Sequence, residues 1–130
     1  MVELLLGHLW GDYLFQNNWM ALNKGKHFFP CFVHCLIYTI SISLWVCLIG
    51  GNQFSWLFFG LIFLSHYPID QFGLTQKWLD LIKGRNFIKE ELSDSVGKSI
   101  RVSFSTLVYT VADNTLHLTA MYFIAKYCLG

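Results

Sequence analysis

A chain of 130 residues and 15.1 kDa has room for one domain. Its residues are 55% hydrophobic, 18% aromatic and 13% charged, against roughly 25% charged in an average soluble domain, which argues against a water-soluble globule. Nine Lys and Arg against eight Asp and Glu leave a net charge of +1, too weak and scattered for the basic footprint of a nucleic-acid-binding protein.

In chain order, residues 2–20 form a long apolar run interrupted by His8 and Asp12. Glu3 stands where a secretory signal would carry basic residues and no small-residue cleavage site follows, so this run reads as a membrane helix. Residues 28–50 hold 23 positions without Asp, Glu, Lys or Arg, enough to cross a hydrocarbon core of about 30 Å. Residues 54–72 form a third run carrying Pro68 and Asp70, and residues 103–128 a fourth, interrupted by Asp113 and His117. The fold expected is therefore all-α: a polytopic membrane protein, a single domain built as a four-helix transmembrane bundle.

Eight of the nine basic residues fall in the first and third connections: Lys24 and Lys26, then Lys77, Lys83, Arg85, Lys89, Lys98 and Arg101. The second connection, Gly50-Gly51-Asn52-Gln53, has none. Basic loops stay cytoplasmic, so both termini are expected to face outward across a bacterial inner membrane. Trp19 and Trp78 then fall near the inner interface and Trp45 and Trp56 near the outer one, where indole rings prefer to sit.

The third connection, residues 74–100, sets Trp78, Leu81, Ile82, Ile88 and Leu92 against Lys77, Lys83, Arg85 and Lys89. This pattern suits a short interfacial helix on anionic lipids, each basic residue contributing at most about 1 kcal/mol; a cytoplasmic hairpin packed on the bundle fits equally well. Gly97-Lys98-Ser99 resembles the end of a phosphate-binding loop, but the first glycine of that motif is replaced by Leu92 and no strand precedes it. Nucleotide binding is therefore not expected.

Ionisable groups within a membrane are costly and need a partner or a role. Seven fall inside the apolar runs: His8, Asp12, His34, His66, Asp70, Asp113 and His117. Six of them form pairs four residues apart, His8 with Asp12, His66 with Asp70 and Asp113 with His117, a spacing that puts both side chains on one helix face. With helices 1 and 3 running inward and helix 4 outward, each Asp lies nearer the cytoplasm and its His about 6 Å deeper. His34 lies six residues into the second run, at a similar depth. Such a set suits a divalent metal, zinc, manganese, iron or nickel, as one ion or two bridged by carboxylate. A satisfied packing pair is the ordinary reading of one such His-Asp unit; three units and a fourth His together favour a joint site.

Gln16 continues the His8 and Asp12 face and Tyr109 precedes Asp113 on its own, so either is a candidate to orient a ligand or meet a substrate. Asn18, Asn23 and Lys24 read as a solvated cap with a lesser prospect of binding an anionic head group, and His27 as an interfacial residue. Cys31 and Cys35 read as small buried hydrophobes. Cys47 and Cys128 fall near the outer ends of neighbouring helices, a position compatible with a disulfide in an oxidising compartment.

The string from Leu6 to Lys24, LGHLWGDYLFQNNWMALNK, resembles the opening of the domain of unknown function 3307 family, small integral-membrane proteins of bacteria and large phages. Its members typically begin H-L-x-G-D, then Phe or Tyr, then x-x-Q-x-x-W-M-A-x-N-K. His8, Gly11, Asp12, Tyr13, Gln16, Trp19, Met20, Ala21, Asn23 and Lys24 match here, as do His34 with Tyr38-Thr39, His66 with Asp70, and Asp113 with His117-Leu118. The resemblance implies membrane location and one joint polar site, and assigns no substrate. A looser similarity in His and Asp motifs links it to membrane-bound metal-dependent hydrolases, by analogy only.

The leading functional expectation is metal-dependent hydrolysis of a lipid-linked or amphipathic substrate at the cytoplasmic side, with Asp12, Asp70 and Asp113 as candidate catalytic carboxylates. Three alternatives belong to other classes: a metal-ion or proton translocation module, expected to be a homo-oligomer because four helices barely enclose a path; a membrane di-iron oxidase; and a non-catalytic anchor or partner subunit.

Overall fold

A computed structural model of the protein describes residues 2–83 and 96–129, and the described residues are helical, with no strand among them. The part of the third connection that carries Arg85, Ile88, Lys89 and Leu92 lies outside the described residues. The apolar run at 2–20 is not one helix. α1 (Val2–Leu9) passes directly into a π-helical turn (Trp10–Leu14), closed by the Phe15 N–H on the Trp10 carbonyl at 2.9 Å. After an irregular stretch the short α2 (Asn18–Asn23) begins afresh, because the Asn17 side chain accepts the Met20 N–H at 2.9 Å and acts as its N-cap.

α3 (Phe28–Leu48) tolerates Pro30 because its missing N–H falls in the first turn, where no helical partner exists. Gly51, at φ +66°, supplies the left-handed residue that turns the chain toward α4 (Trp56–Gln71), which Ser55 caps on the Phe58 N–H. Gly73, at φ +56°, makes the next corner into α5 (Leu74–Lys83), and α6 (Val96–Cys128) returns as the longest helix, beginning seven residues before the apolar run at 103–128. Gly97, Lys98 and Ser99 thus lie in the opening turns of a helix.

α1, α3, α4 and α6 pack in sequence around a closed ring, with α2 on α3 and α5 on α4 and α6. The approach of α1 to α3 is set by two glycines one turn apart. A Cβ on Gly7 would stand 2.8 Å from the Ile42 Cα, and one on Gly11 would stand 2.8 Å from the Tyr38 ring and 3.0 Å from its Cα. Small residues at this spacing let two helix backbones touch. As residue number rises along α1 it falls along α3, so the two run antiparallel.

The interior divides in two. An apolar half comprises Leu4, Tyr38, Ile42, Val46, Phe58, Ile62 and Met121. Next to it lies a polar half in which His8, His34, His66 and His117 are almost wholly buried. The outside is apolar, with Leu14, Phe28, Leu44, Leu48, Leu64, Leu107 and Phe123 among many large exposed side chains. Among the described residues one helix, α3, is long and apolar enough to cross a membrane. α1 stops after 8 residues and α4 has 16, about 24 Å of helix. All four cysteines are free thiols, so Cys47 and Cys128 are not bonded to each other.

Candidate metal centre

Four ligand-type atoms from three elements meet in the polar half. The π-turn contributes Asp12, α3 contributes His34, and α4 contributes both His66 and Asp70. The Nε2 of His34 lies 3.0 Å from the Nε2 of His66, 3.2 Å from the Oδ1 of Asp12 and 3.0 Å from the Oδ2 of Asp70. The Nε2 of His66 lies 3.2 Å from the same Asp70 oxygen and 3.7 Å from the same Asp12 oxygen. In a tetrahedral site with bonds of roughly 2.0–2.1 Å, neighbouring donors stand about 3.3–3.4 Å apart. These five His–His and His–Asp separations bracket that value.

A second group overlaps the first. His66, Asp70 and His117 also offer one ligand atom each within 4.8 Å of one another, as Asp12, His34 and His66 do. His117, from α6, sets its Nε2 3.4 Å from the Oδ1 of Asp70. Asp70 therefore faces His34 and His66 with one oxygen and His117 with the other. Asp12 Oδ1, Asp70 Oδ2 and His117 Nε2 are buried and make no hydrogen bond, only ion-pair contacts to one another's neighbours. Buried polar atoms ordinarily find hydrogen-bond partners, and acceptors left without them fit a cation.

Packing orients the ligand rings. Tyr38 stacks on His66 with centroids 3.6 Å apart and planes 20° from parallel, and His117 lies 4.1 Å beyond His66. The outer Nδ1 atoms of His34 and His66 have no hydrogen-bond partner, so ring contacts with Tyr38, His117 and each other locate them.

The other expected residues stand farther out. His8 turns away from the cluster: its Nδ1 meets the Tyr38 hydroxyl at 2.9 Å and the Oδ2 of Asp12 at 3.3 Å, while its Nε2 meets the Oδ1 of Asn114. Asn114 is fixed in that sense because its amide N–H groups donate to the Thr110 carbonyl and the Tyr13 hydroxyl. His8 therefore donates from Nε2 to Asn114 and faces Asp12 from behind with Nδ1. Asp113 is peripheral: Oδ1 accepts the Thr75 hydroxyl at 2.5 Å, and Oδ2 lies 3.8 Å from His117 Nε2. Gln16 falls in the irregular stretch after the π-turn, off the helical face of His8 and Asp12, with its Oε1 buried and unpartnered. Tyr109 lies half-buried one turn before Asp113.

Lys24 corrects the expected solvated cap. Its ammonium reaches into the cluster, 2.8 Å from the Oδ2 of Asp70 and 3.4 Å from His34 Nε2, with a fifth of the side chain exposed. Burial alone would lower its pKa, but the charges of Asp70 and Asp12 outweigh that and raise it. The expected set without Lys or Arg thus contains a permanent cation. A charged residue four positions before a hydrophobic span gives no sign that it folds back; its place in the string Trp19 to Lys24 was the available signal.

The family model described as "Protein of unknown function (DUF3307)" matches residues 1–129 of the chain. No curated protein matches it. No solved structure matches it either.

Proposed function

The chain belongs to the DUF3307 family, and from that premise we propose that it is an intramembrane metal-dependent hydrolase acting on a lipid-linked or amphipathic substrate at the cytoplasmic side. The observation that carries this reading is the meeting of His34 Nε2 and His66 Nε2, 3.0 Å apart, with Asp12 Oδ1 and Asp70 Oδ2 each 3.0 to 3.7 Å from both. His34, His66 and Asp12 would hold a divalent ion, which would supply a water of lowered pKa. Asp12 keeps its second oxygen free of the cluster, 3.3 Å from His8 Nδ1, so it can take a proton at Oδ2 and share it with His8. Asp70 faces His34 and His66 with Oδ2 and His117 with Oδ1, so a second ion would find one of its oxygens available.

The apolar exterior supports a lipid setting. Large hydrophobic side chains cover the outside while histidines and aspartates fill part of the inside, the distribution that a bundle solvated by acyl chains requires. On this reading the four apolar segments all traverse the bilayer, the outer ends of α3 and α4 face away from the cytoplasm, and the lipid bilayer itself is the first partner. A cleft of about 400 Å³ between α4, α5 and α6, lined by Ile69, Leu74, Lys77, Trp78, Leu81 and Leu116, offers apolar room with one basic residue for an amphipathic molecule.

Elemental analysis of detergent-purified protein tests the metal. Near-stoichiometric zinc, manganese, iron or nickel in the parent, lost in His66→Ala and Asp12→Ala, is the expected result. Metal-free protein after exposure to each of those ions, together with proton flux across sealed vesicles, would overturn it in favour of a translocation module.

A further inference from the structure

The two ligand groups are not independent. Asp12, His34 and His66 form one, and His66, Asp70 and His117 the other, so His66 is common to both. Beside the second group, Asp70 Oδ1 lies 3.4 Å and Asp113 Oδ2 3.8 Å from His117 Nε2, which offers a further ion two carboxylates and an imidazole. Charge decides whether that offer is taken up. Asp12 and Asp70 are buried and Asp113 is partly so, and all three act on the ammonium of Lys24, which is paired with Asp70 Oδ2 at 2.8 Å. With the imidazoles neutral, as coordination requires of them, three carboxylates against one ammonium leave two negative charges. One divalent ion cancels them. A second ion would leave two positive charges uncompensated in a poorly solvated interior, which is strongly unfavourable.

The position of Lys24 agrees with this count. It is paired with Asp70, the carboxylate that the first group does without, since Asp12, His34 and His66 complete that group by themselves. The longer contact of Lys24, 3.4 Å to His34 Nε2, is the one that an ion on His34 would replace; the pair with Asp70 stays.

We infer that the centre takes a single divalent ion, on Asp12, His34 and His66, and that Lys24, fixed on Asp70, supplies in tethered form the positive charge that a second ion would otherwise bring. The inference rests on the metal reading and adds to it the number of ions, the residues that hold the one, and the group that keeps out another.

The test uses the full chain in detergent, saturated separately with zinc and with manganese(II) and freed of excess by dialysis. Bound metal is counted by elemental analysis, and coupling between manganese ions is read by electron paramagnetic resonance. Parent protein should hold one ion per chain and give the spectrum of an isolated manganese. His117→Ala should keep that ion, because His117 belongs to the second group alone. Lys24→Met, which keeps the length of the side chain without its charge, should take up two ions per chain and show exchange coupling between them. Lys24→Arg, which restores the charge, should hold one.

Two ions or a coupled pair in the parent, loss of the ion in His117→Ala, or a single ion in Lys24→Met that elutes as folded protein would each overturn the inference and leave a metal centre standing. If Lys24→Met does not fold, the count in the parent and the outcome in His117→Ala decide by themselves. A parent that binds neither metal overturns the inference and the metal reading together.

Discussion

His34 and His66 direct their Nε2 atoms at each other across 3.0 Å, from two helices, with the Asp70 carboxylate within 3.2 Å of both. Two imidazole nitrogens so placed either share a proton or converge on a cation, and the metal reading proposed above takes the second course, with Asp12 Oδ1 3.2 Å from His34 Nε2. His34→Ala, His66→Ala and Asp12→Ala should therefore each lose bound metal outright, while eluting as folded protein on size exclusion. Because imidazoles must be neutral to coordinate, metal affinity should fall as pH drops from 7.5 to 5.5. Retention of metal by all three variants would remove the site from this position.

His8 and Asn114 predict a graded effect. His8 touches Asp12 only from behind and Asn114 reaches it only through His8, so His8→Ala and Asn114→Leu should weaken metal affinity by about 10- to 100-fold, without abolishing it. The measurement is the same chelator competition. Complete loss of metal in His8→Ala, matching His66→Ala, would make His8 a ligand and require its ring to rotate.

Gly7 and Gly60 predict opposite responses to one added methyl. A Cβ on Gly7 meets the Ile42 Cα at 2.8 Å, whereas one on Gly60 meets nothing within 4 Å. Gly7→Ala should destabilise by about 1–3 kcal/mol through overpacking. Gly60→Ala, in the interior of α4, should gain up to about 1 kcal/mol from helix propensity. Thermal unfolding in detergent, read by circular dichroism, checks both; equal midpoints for the two variants would mean that α1 and α3 do not touch there.

The membrane reading makes a sidedness prediction. In a background lacking the four native cysteines, Asn52→Cys should react with an impermeant maleimide from outside intact cells, and Lys77→Cys only after the inner membrane is opened. Both positions lie in described segments at opposite ends of α4. Labelling of both from the same side would rule out a spanning α4.

Tyr38 joins the two halves of the interior. Its hydroxyl meets His8 and donates to Met121 Sδ at 3.2 Å, while its ring stacks on His66. Tyr38→Phe, which keeps the ring, should cost about 1 kcal/mol of stability and retain the metal. Tyr38→Ala should cost about 3–5 kcal/mol and lower metal occupancy, since its ring is the one stacked nearly parallel on His66.

The all-helical architecture and most of the centre were legible in the sequence, because both follow from local rules. Apolar runs set the helices, and a spacing of four placed His66 with Asp70 on one face of α4 and brought both into the cluster. His34, alone in a span without formal charge, had no other partner to seek, and the match over residues 1–129 agrees with the motifs from His8 to Lys24.

What only the tertiary structure decided depends on contacts between distant elements. The pairing rule treated the three His-Asp units as equivalent. Packing separated them: Asn114 of α6 draws His8 away from the cluster, and Thr75 of α5 holds Asp113 at its margin. The π-turn rotates Asp12 toward His34, and Gly7 and Gly11 bring α1 close enough to α3 for that rotation to reach. Lys24 joins the site because Asp70, 46 positions later, sits where its ammonium can end. Helical periodicity is a property of neighbours along the chain, whereas the charge balance of a buried site is a sum over every element that reaches it.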